Sequence, residues 1–194
     1  MKKKIGLFFG TFNPVHVGHL IIANHFVEYS DLDEVWFVVT PHNPFKKKSS
    51  LLDNYQRLDL VYRATEDFVK LRPSNIEFNL PQPNYTSHTL AVLEEKYPEK
   101  EFSLILGEDN LRGFHKWKNS DVILERHELF VYPRVSDKPD EYPLKNHPKV
   151  HFIDAPVIEI SASFIRASIK EGKNVRPLIP YEAWKYLDEM NFYK

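Results

Sequence analysis

Two histidines three residues apart, His16 and His19, follow a loop built of glycine and proline, Gly10-Thr11-Phe12-Asn13-Pro14-Val15. Imidazoles at i and i+3 share one helical face and can converge on the same oxygen atoms. Gly18, between them, leaves no side chain to obstruct a ligand. A helix that starts near His16 aims free backbone N–H groups and the positive end of its dipole back at the loop, which favours an anion there. A second set stands far along the chain. In Ile160-Ser161-Ala162-Ser163-Phe164-Ile165-Arg166, two hydroxyls and a guanidinium gather at a helix start, where they can take further phosphate oxygens. Each set has a plainer alternative. The histidines could be ordinary polar residues or metal ligands, although there is neither an H-E-x-x-H pattern nor any cysteine to complete a site. The serines could simply cap the helix.

Elements that could position these groups are legible around them. Short apolar runs at 5–9, 35–39, 102–106, 129–132 and 150–153 read as strands. Helical periodicity marks 17–29, 55–68 and 86–97. Ser161 or Ser163 can cap a helix running to about 171, Gly172 supplies a stop, and Pro180 opens a last helix ending near 190. Strands alternating with helices predict an α/β fold with a doubly wound parallel sheet. Ligands in such sheets sit at the carboxyl ends of strands, where the loop from Gly10 emerges. The proline-rich, charged stretch 133–148 reads as an exposed loop.

Composition narrows the function classes. The 194 residues suit a single domain, 1–194, with a small helical C-terminal part from about 161 to 194. A net charge of −1 gives no general pull toward nucleic acid or membrane, and Lys46-Lys47-Lys48 is the one basic run. That run is either a phosphate helper or a solvated loop. No cysteine means no disulfide, thiolate metal site or cysteine catalysis. No segment approaches the ~20 apolar residues of a membrane span, and the apolar run after Met1-Lys2-Lys3-Lys4 is too short for a signal peptide. A soluble cytoplasmic protein is expected, without nucleic-acid or membrane partners, and nothing in the sequence sets an oligomeric state.

The first motif, G-T-F-N-P-V-H-V-G-H, resembles the first signature of nucleotidyltransferases that carry (H/T)-x-G-H, and I-S-A-S-F-I-R resembles their second, I-S-S-T-x-x-R. Pro41 to Lys46, Tyr85-Thr86-Ser87-His88-Thr89-Leu90, Gly107-Glu108-Asp109-Asn110 with Trp117, and Arg134 after a strand resemble, in the same order, segments of the bacterial nicotinate-nucleotide adenylyltransferases. The likeness runs from Ile5 to about Met190. It departs at Ala162 or Ser163, where the pattern has threonine, at His88, where it has aspartate, and at Glu108, where it has a small residue.

The resemblance implies a Rossmann-like nucleotidyltransferase that moves an adenylyl group from ATP to nicotinate mononucleotide, making nicotinate adenine dinucleotide and pyrophosphate in NAD biosynthesis. Alternatives are a relative with a pantetheine-phosphate, nicotinamide mononucleotide or cytidylyl chemistry, and a nucleotide sensor without chemistry. It implies catalytic roles for His16, His19 and Arg166. It implies ATP contacts at Gly10, Thr11, Phe12, Gly18, Gly107, Asp109, Ile160, Ser161 and Ser163. Acceptor contacts fall to Asn13, Lys46, Tyr85, Thr86, Trp117 and Arg134, with N–H groups at the start of the 86–97 helix facing the nicotinate carboxylate. Trp117 could instead be core beside Phe114, and Asp109 could instead cap a helix. Mg²⁺ is expected on the phosphates of ATP, with no dedicated protein metal site.

Overall fold

The computed structural model describes residues 2–41, 51–134 and 143–194. Strand β1 (Lys3–Gly10) sends Ile5 and Leu7 to one face of the sheet and Phe8 to the other, all buried. A strand covered on both faces must be apolar on both, which is why the run reads without polar alternation. Helix α1 (Val17–Tyr29) follows, then β2 (Glu34–Val39), buried throughout. Asp53 opens α2 (Asn54–Thr65), its Oδ1 accepting from Tyr55 N–H at 2.8 Å while Gln56 Oε1 accepts from Asp53 N–H at 3.2 Å, a reciprocal cap. The chain continues through β3 (Leu71–Ser74), α3 (Thr86–Lys96), β4 (Lys100–Gly107), α4 (Glu108–Arg112) and α5 (Ser120–Arg126). It ends through β5 (Leu129–Tyr132), β6 (Val150–Phe152), α6 (Ala162–Lys170) and α7 (Tyr181–Glu189).

The six strands are all parallel, in the order β3-β2-β1-β4-β5-β6. One face is covered by α1, α2, α6 and α7, through residues such as Phe26, Leu60, Ile165 and Leu187. The other is covered by α3, α4 and α5, through Leu90, Leu93, Leu111 and Ile123. Strand order reverses between β1 and β4, so their connections leave on opposite sides and a crevice opens at their carboxyl ends. The doubly wound parallel sheet is therefore as the alternation of elements predicts. Among the described residues, no helix is long and apolar enough to cross a membrane.

Differences from the sequence reading are local. Strand β3 has a proline and only Leu71 buried, because an edge strand pairs on one side and needs no apolar alternation. Helices α4 and α5 are five and seven residues long, too short for periodicity to reveal. Helix α2 stops at Thr65, whose Oγ1 bonds back to Val61 O at 2.9 Å and whose carbonyl accepts from Phe68 N–H at 3.0 Å in a closing turn. Of the two candidate caps, Ser161 takes the position before α6. Gly172 has φ +70°, the left-handed stop expected of a glycine there.

Candidate active site

Past Gly10 the chain turns sharply, and Phe12 sits at φ +44°, a strained value for a side chain of that size. Packing enforces it: Phe12 is buried against Phe37, with centroids 5.3 Å apart, and against His19 at 5.1 Å. His16, extended at φ −143° and ψ 167°, then opens α1. Its backbone N–H donates to His19 Nδ1 at 3.2 Å, and the two rings stack with centroids 3.7 Å apart. A nitrogen that accepts cannot carry the proton, so neutral His19 holds its hydrogen on Nε2. His16 Nδ1 is buried with no hydrogen-bond partner among the described residues. A Cβ on Gly18 would come within 2.7 Å of Ile158 Cγ2 and 3.1 Å of His16 Nδ1, so only glycine allows this approach.

Burial draws the His16 pKa down to about 4, and the charge of Arg134 adds to the effect. Burial, followed by His16 and Arg134, holds His19 well below its ordinary value too. At neutral pH both rings are therefore uncharged, and the fixed positive charges come from arginine. This has a measurable consequence. As pH falls, the unfolded chain takes up a proton near 6.5 while folded His16 waits until about 4. The histidine contribution is thus present in full above about 6.5 and is lost progressively down to about 4, on the order of 3 kcal/mol for His16. Urea denaturation is expected to show a steeper fall in stability between about pH 7 and 5 for the parent than for His16→Gln; parallel curves would contradict it.

At the other end of the chain, Ser161 Oγ accepts from Phe164 N–H at 3.2 Å as the α6 cap. Arg166 Nη2 donates to Ser163 Oγ at 3.3 Å, and its Nη1 donates to Asn13 O at 2.7 Å. The two motifs are thus joined directly, across a sequence separation of 153.

Two clefts meet here. The larger, about 390 Å³, opens between the ends of β1 and β4 and is lined by Gly10 to Asn13, His19, Thr40, Gly107, Asn110, Trp117 and Tyr132. The smaller, about 170 Å³, is lined by His16, Gly18, His19, Tyr132, Arg134, Ile158, Ile160 and Ser161. His19, Tyr132 and Ala162 belong to both. A Cβ on Gly107 would lie 2.5 Å from Asp109 Oδ1 and 3.1 Å from the Tyr132 ring, so a larger residue here would have to displace the Asp109 side chain and press on Tyr132.

The residues singled out from sequence distribute as follows. Trp117 lines the larger cleft and also packs on Phe114, with centroids 5.1 Å apart, so its two readings coexist. Asn13 lies in the same cleft, its Oδ1 accepting from Tyr193 Oη at 2.6 Å and Leu52 N–H at 3.2 Å. Arg134 lines the smaller cleft beside His16, away from Trp117, with its Nε 3.8 Å from Asp109 Oδ1. Asp109 falls within α4, and Gly107 holds the cap position. Tyr85 and Thr86 form the start of α3 but line neither cleft; the Tyr85 ring carries Lys118 Nζ 4.2 Å from its centroid. His88 is exposed on α3 and Glu108 pairs with Arg112 at 2.8 Å, and neither lines these two clefts, whereas Ala162, the other departure from the family pattern, lines both. Lys46 lies outside the described residues. Tyr132 and Thr40 escaped the sequence reading, although the carboxyl ends of strands were the signal that could have found them.

Among the described residues, no three histidine, cysteine, aspartate or glutamate side chains gather as a metal site. The donors around the clefts are imidazole N–H, guanidinium and backbone N–H, a set that suits phosphate oxygens and fits a divalent ion carried by the phosphates themselves.

A sequence model described as cytidylyltransferase-like matches residues 7–168. A protein of Flavobacterium johnsoniae named "Probable nicotinate-nucleotide adenylyltransferase" is 65% identical over 191 residues, 98% of this chain and 99% of that protein. A protein of the same name from Christiangramia forsetii is 64% identical over the full length of both chains. Among solved structures, Plasmodium falciparum nicotinic acid mononucleotide adenylyltransferase complexed with NaAD superposes with a TM-score of 0.81 at 20% identity, over 98% of this chain and 97% of that one.

Proposed function

Since the chain belongs to the cytidylyltransferase-like family and, within it, to the nicotinate-nucleotide adenylyltransferases, we propose that it transfers the adenylyl group of ATP to nicotinate mononucleotide in NAD biosynthesis. The observation that carries the reading is the position of His19, common to two clefts, beside a loop that Arg166 ties to the second motif through Asn13 O. A reaction that joins two phosphate-bearing substrates needs such a meeting point.

A phosphate oxygen of nicotinate mononucleotide attacks the α-phosphorus of ATP as the bond to the bridging oxygen of the β-phosphate breaks. Pyrophosphate leaves and nicotinate adenine dinucleotide forms, with no protein nucleophile and no covalent intermediate. His19 donates Nε2–H to an α-phosphoryl oxygen as charge gathers on it. His16 and the N–H groups at the start of α1 hold neighbouring phosphate oxygens. Arg166 and Ser163 take the β- and γ-phosphates, and Arg134 adds positive charge on the same side. A magnesium ion, if carried in on the phosphates of ATP, would neutralise part of their charge, with the histidine and arginine donors holding the remaining phosphate oxygens. Trp117 stacks on the pyridine ring, with Asn13 beside it. The whole chain acts as one nucleotidyltransferase domain, and ATP as substrate places its work in the cytoplasm.

The test supplies ATP and Mg²⁺ with nicotinate mononucleotide, nicotinamide mononucleotide or phosphopantetheine in turn and follows pyrophosphate. Turnover with the first and far less with the others is expected. Preference for phosphopantetheine overturns the acceptor, and silence with all three turns the protein into a nucleotide sensor. Trp117→Ala is expected to raise KM for nicotinate mononucleotide by about three- to tenfold, the worth of one aromatic stack, with kcat little changed. An unchanged KM would leave Trp117 as core alone.

A further inference from the structure

Arg57 of α2 carries a full charge into the core directly behind the phosphate loop. Its exposure is 0%. Nη1 donates to Thr11 O at 2.6 Å and to Thr40 O at 2.8 Å, Nε to Leu52 O at 3.1 Å, and Nη2 to Asn54 Oδ1 at 2.6 Å. All four acceptors are neutral oxygens. Among the described residues no carboxylate hydrogen-bonds Arg57, and residues 42–50 contain neither aspartate nor glutamate. Asp53, next along, is exposed, spends its Oδ1 on the α2 cap and acts on the guanidinium only at a distance, a Coulombic effect outweighed by burial. Tyr193 lies near, but burial keeps its phenol protonated, and its hydroxyl donates to Asn13 Oδ1. Burial lowers the Arg57 pKa, yet a guanidinium stays charged in such a setting.

A buried cation hydrogen-bonded to neutral oxygens is unfavourable, and a directly bonded carboxylate would relieve it. What the arrangement achieves is specific. One nitrogen joins the chain just past β1, at Thr11, to the chain just past β2, at Thr40, and Thr40 N–H closes the same junction on Gly10 O at 2.9 Å. Thr11 and Thr40 both line the larger cleft. The Thr11 carbonyl turned toward Arg57 leaves the N–H of Phe12 on the opposite side of that planar peptide. The charge is therefore one peptide layer behind the loop, in a medium where charges act strongly over several ångströms.

We propose that Arg57 is a positioning residue for adenylyl transfer whose charge, hydrogen-bonded to neutral oxygens and held behind Thr11 and Thr40, also strengthens phosphate binding in the cleft. The proposal rests on the adenylyl-transfer reading and deepens it. Asn54→Asp separates charge from geometry: it sets a carboxylate against Nη2 without added bulk, near a helix N-terminus where a negative charge is welcome. The full chain is titrated with inorganic tripolyphosphate in a calorimeter, and kcat and KM are measured alongside, per folded molecule and well below each thermal midpoint. For Asn54→Asp the tripolyphosphate affinity and kcat/KM are each expected to fall about fivefold to tenfold while the midpoint stays level or rises. Affinity within about twofold of the parent overturns the proposal, as does a parent that binds no tripolyphosphate. Arg57→Lys, which keeps the charge but loses the fork, is expected to hold tripolyphosphate better than Arg57→Gln; equal loss in both overturns the electrostatic part. Because tripolyphosphate binding needs neither acceptor nor chemistry, a failed acceptor assignment leaves these comparisons intact.

Discussion

Replacing His19 by asparagine is expected to lower kcat by about a hundred- to a thousandfold, the usual effect of losing one hydrogen-bond donor aimed at developing charge. The choice of asparagine matters. Its Oδ1 can stand where His19 Nδ1 accepts from His16 N–H at 3.2 Å, so the start of α1 stays closed while the outer N–H is gone. His19→Gln, which carries an amide N–H farther out, is expected to retain more activity than His19→Asn. KM for either substrate should move much less than kcat, since the interaction strengthens as charge gathers in the transition state. Pyrophosphate release and circular dichroism on the same samples decide it. If His19→Asn melts the protein and activity per folded molecule persists, the ring is structural only. The neutrality of His19 supports the expectation, because a neutral donor gives a hydrogen bond in the transition state without having bound the ground state as an ion pair.

The second large effect is expected at Arg166. Its guanidinium donates to Asn13 O at 2.7 Å and to Ser163 Oγ at 3.3 Å, so one side chain ties α6 to the loop after β1 and sets a fixed charge behind that loop, although it lines neither cleft. Arg166→Ala is expected to reduce kcat/KM for ATP by about a hundredfold or more, with roughly 1 kcal/mol lost from stability as the Asn13 bond disappears. Arg166→Lys should recover little. A single ammonium lacks the planar fork that serves a carbonyl and a phosphate together. Steady-state kinetics and a thermal melt separate the two effects; a large melt shift with kcat/KM within about fivefold of the parent would assign Arg166 to folding.

The legible part of this protein is the part whose physics is local. Ile5, Leu7 and Phe8 announce a strand covered on both faces, and Ser161, Gly172 and Pro180 mark helix ends within a turn of where they lie. These signals depend on neighbours in sequence, as capping and periodicity do. β3 was silent because an edge strand has little to bury, and α4 and α5 were silent because they are short.

By itself the sequence determined that a strand, a glycine and proline loop and a helix deliver His16 and His19 to the end of a parallel sheet, and that a second serine and arginine motif exists. Only the tertiary structure decided the rest. It joined Arg166 to Asn13, set Arg57 behind Thr11, made His19 one of three residues that two clefts share, and put Arg134 with His16 rather than with Trp117. It also fixed where the His19 proton sits and kept both rings neutral. The reason is that a proton's place, a charge's partner and a pocket's wall are set by burial and by contacts between segments far apart in the chain, and no local pattern encodes them.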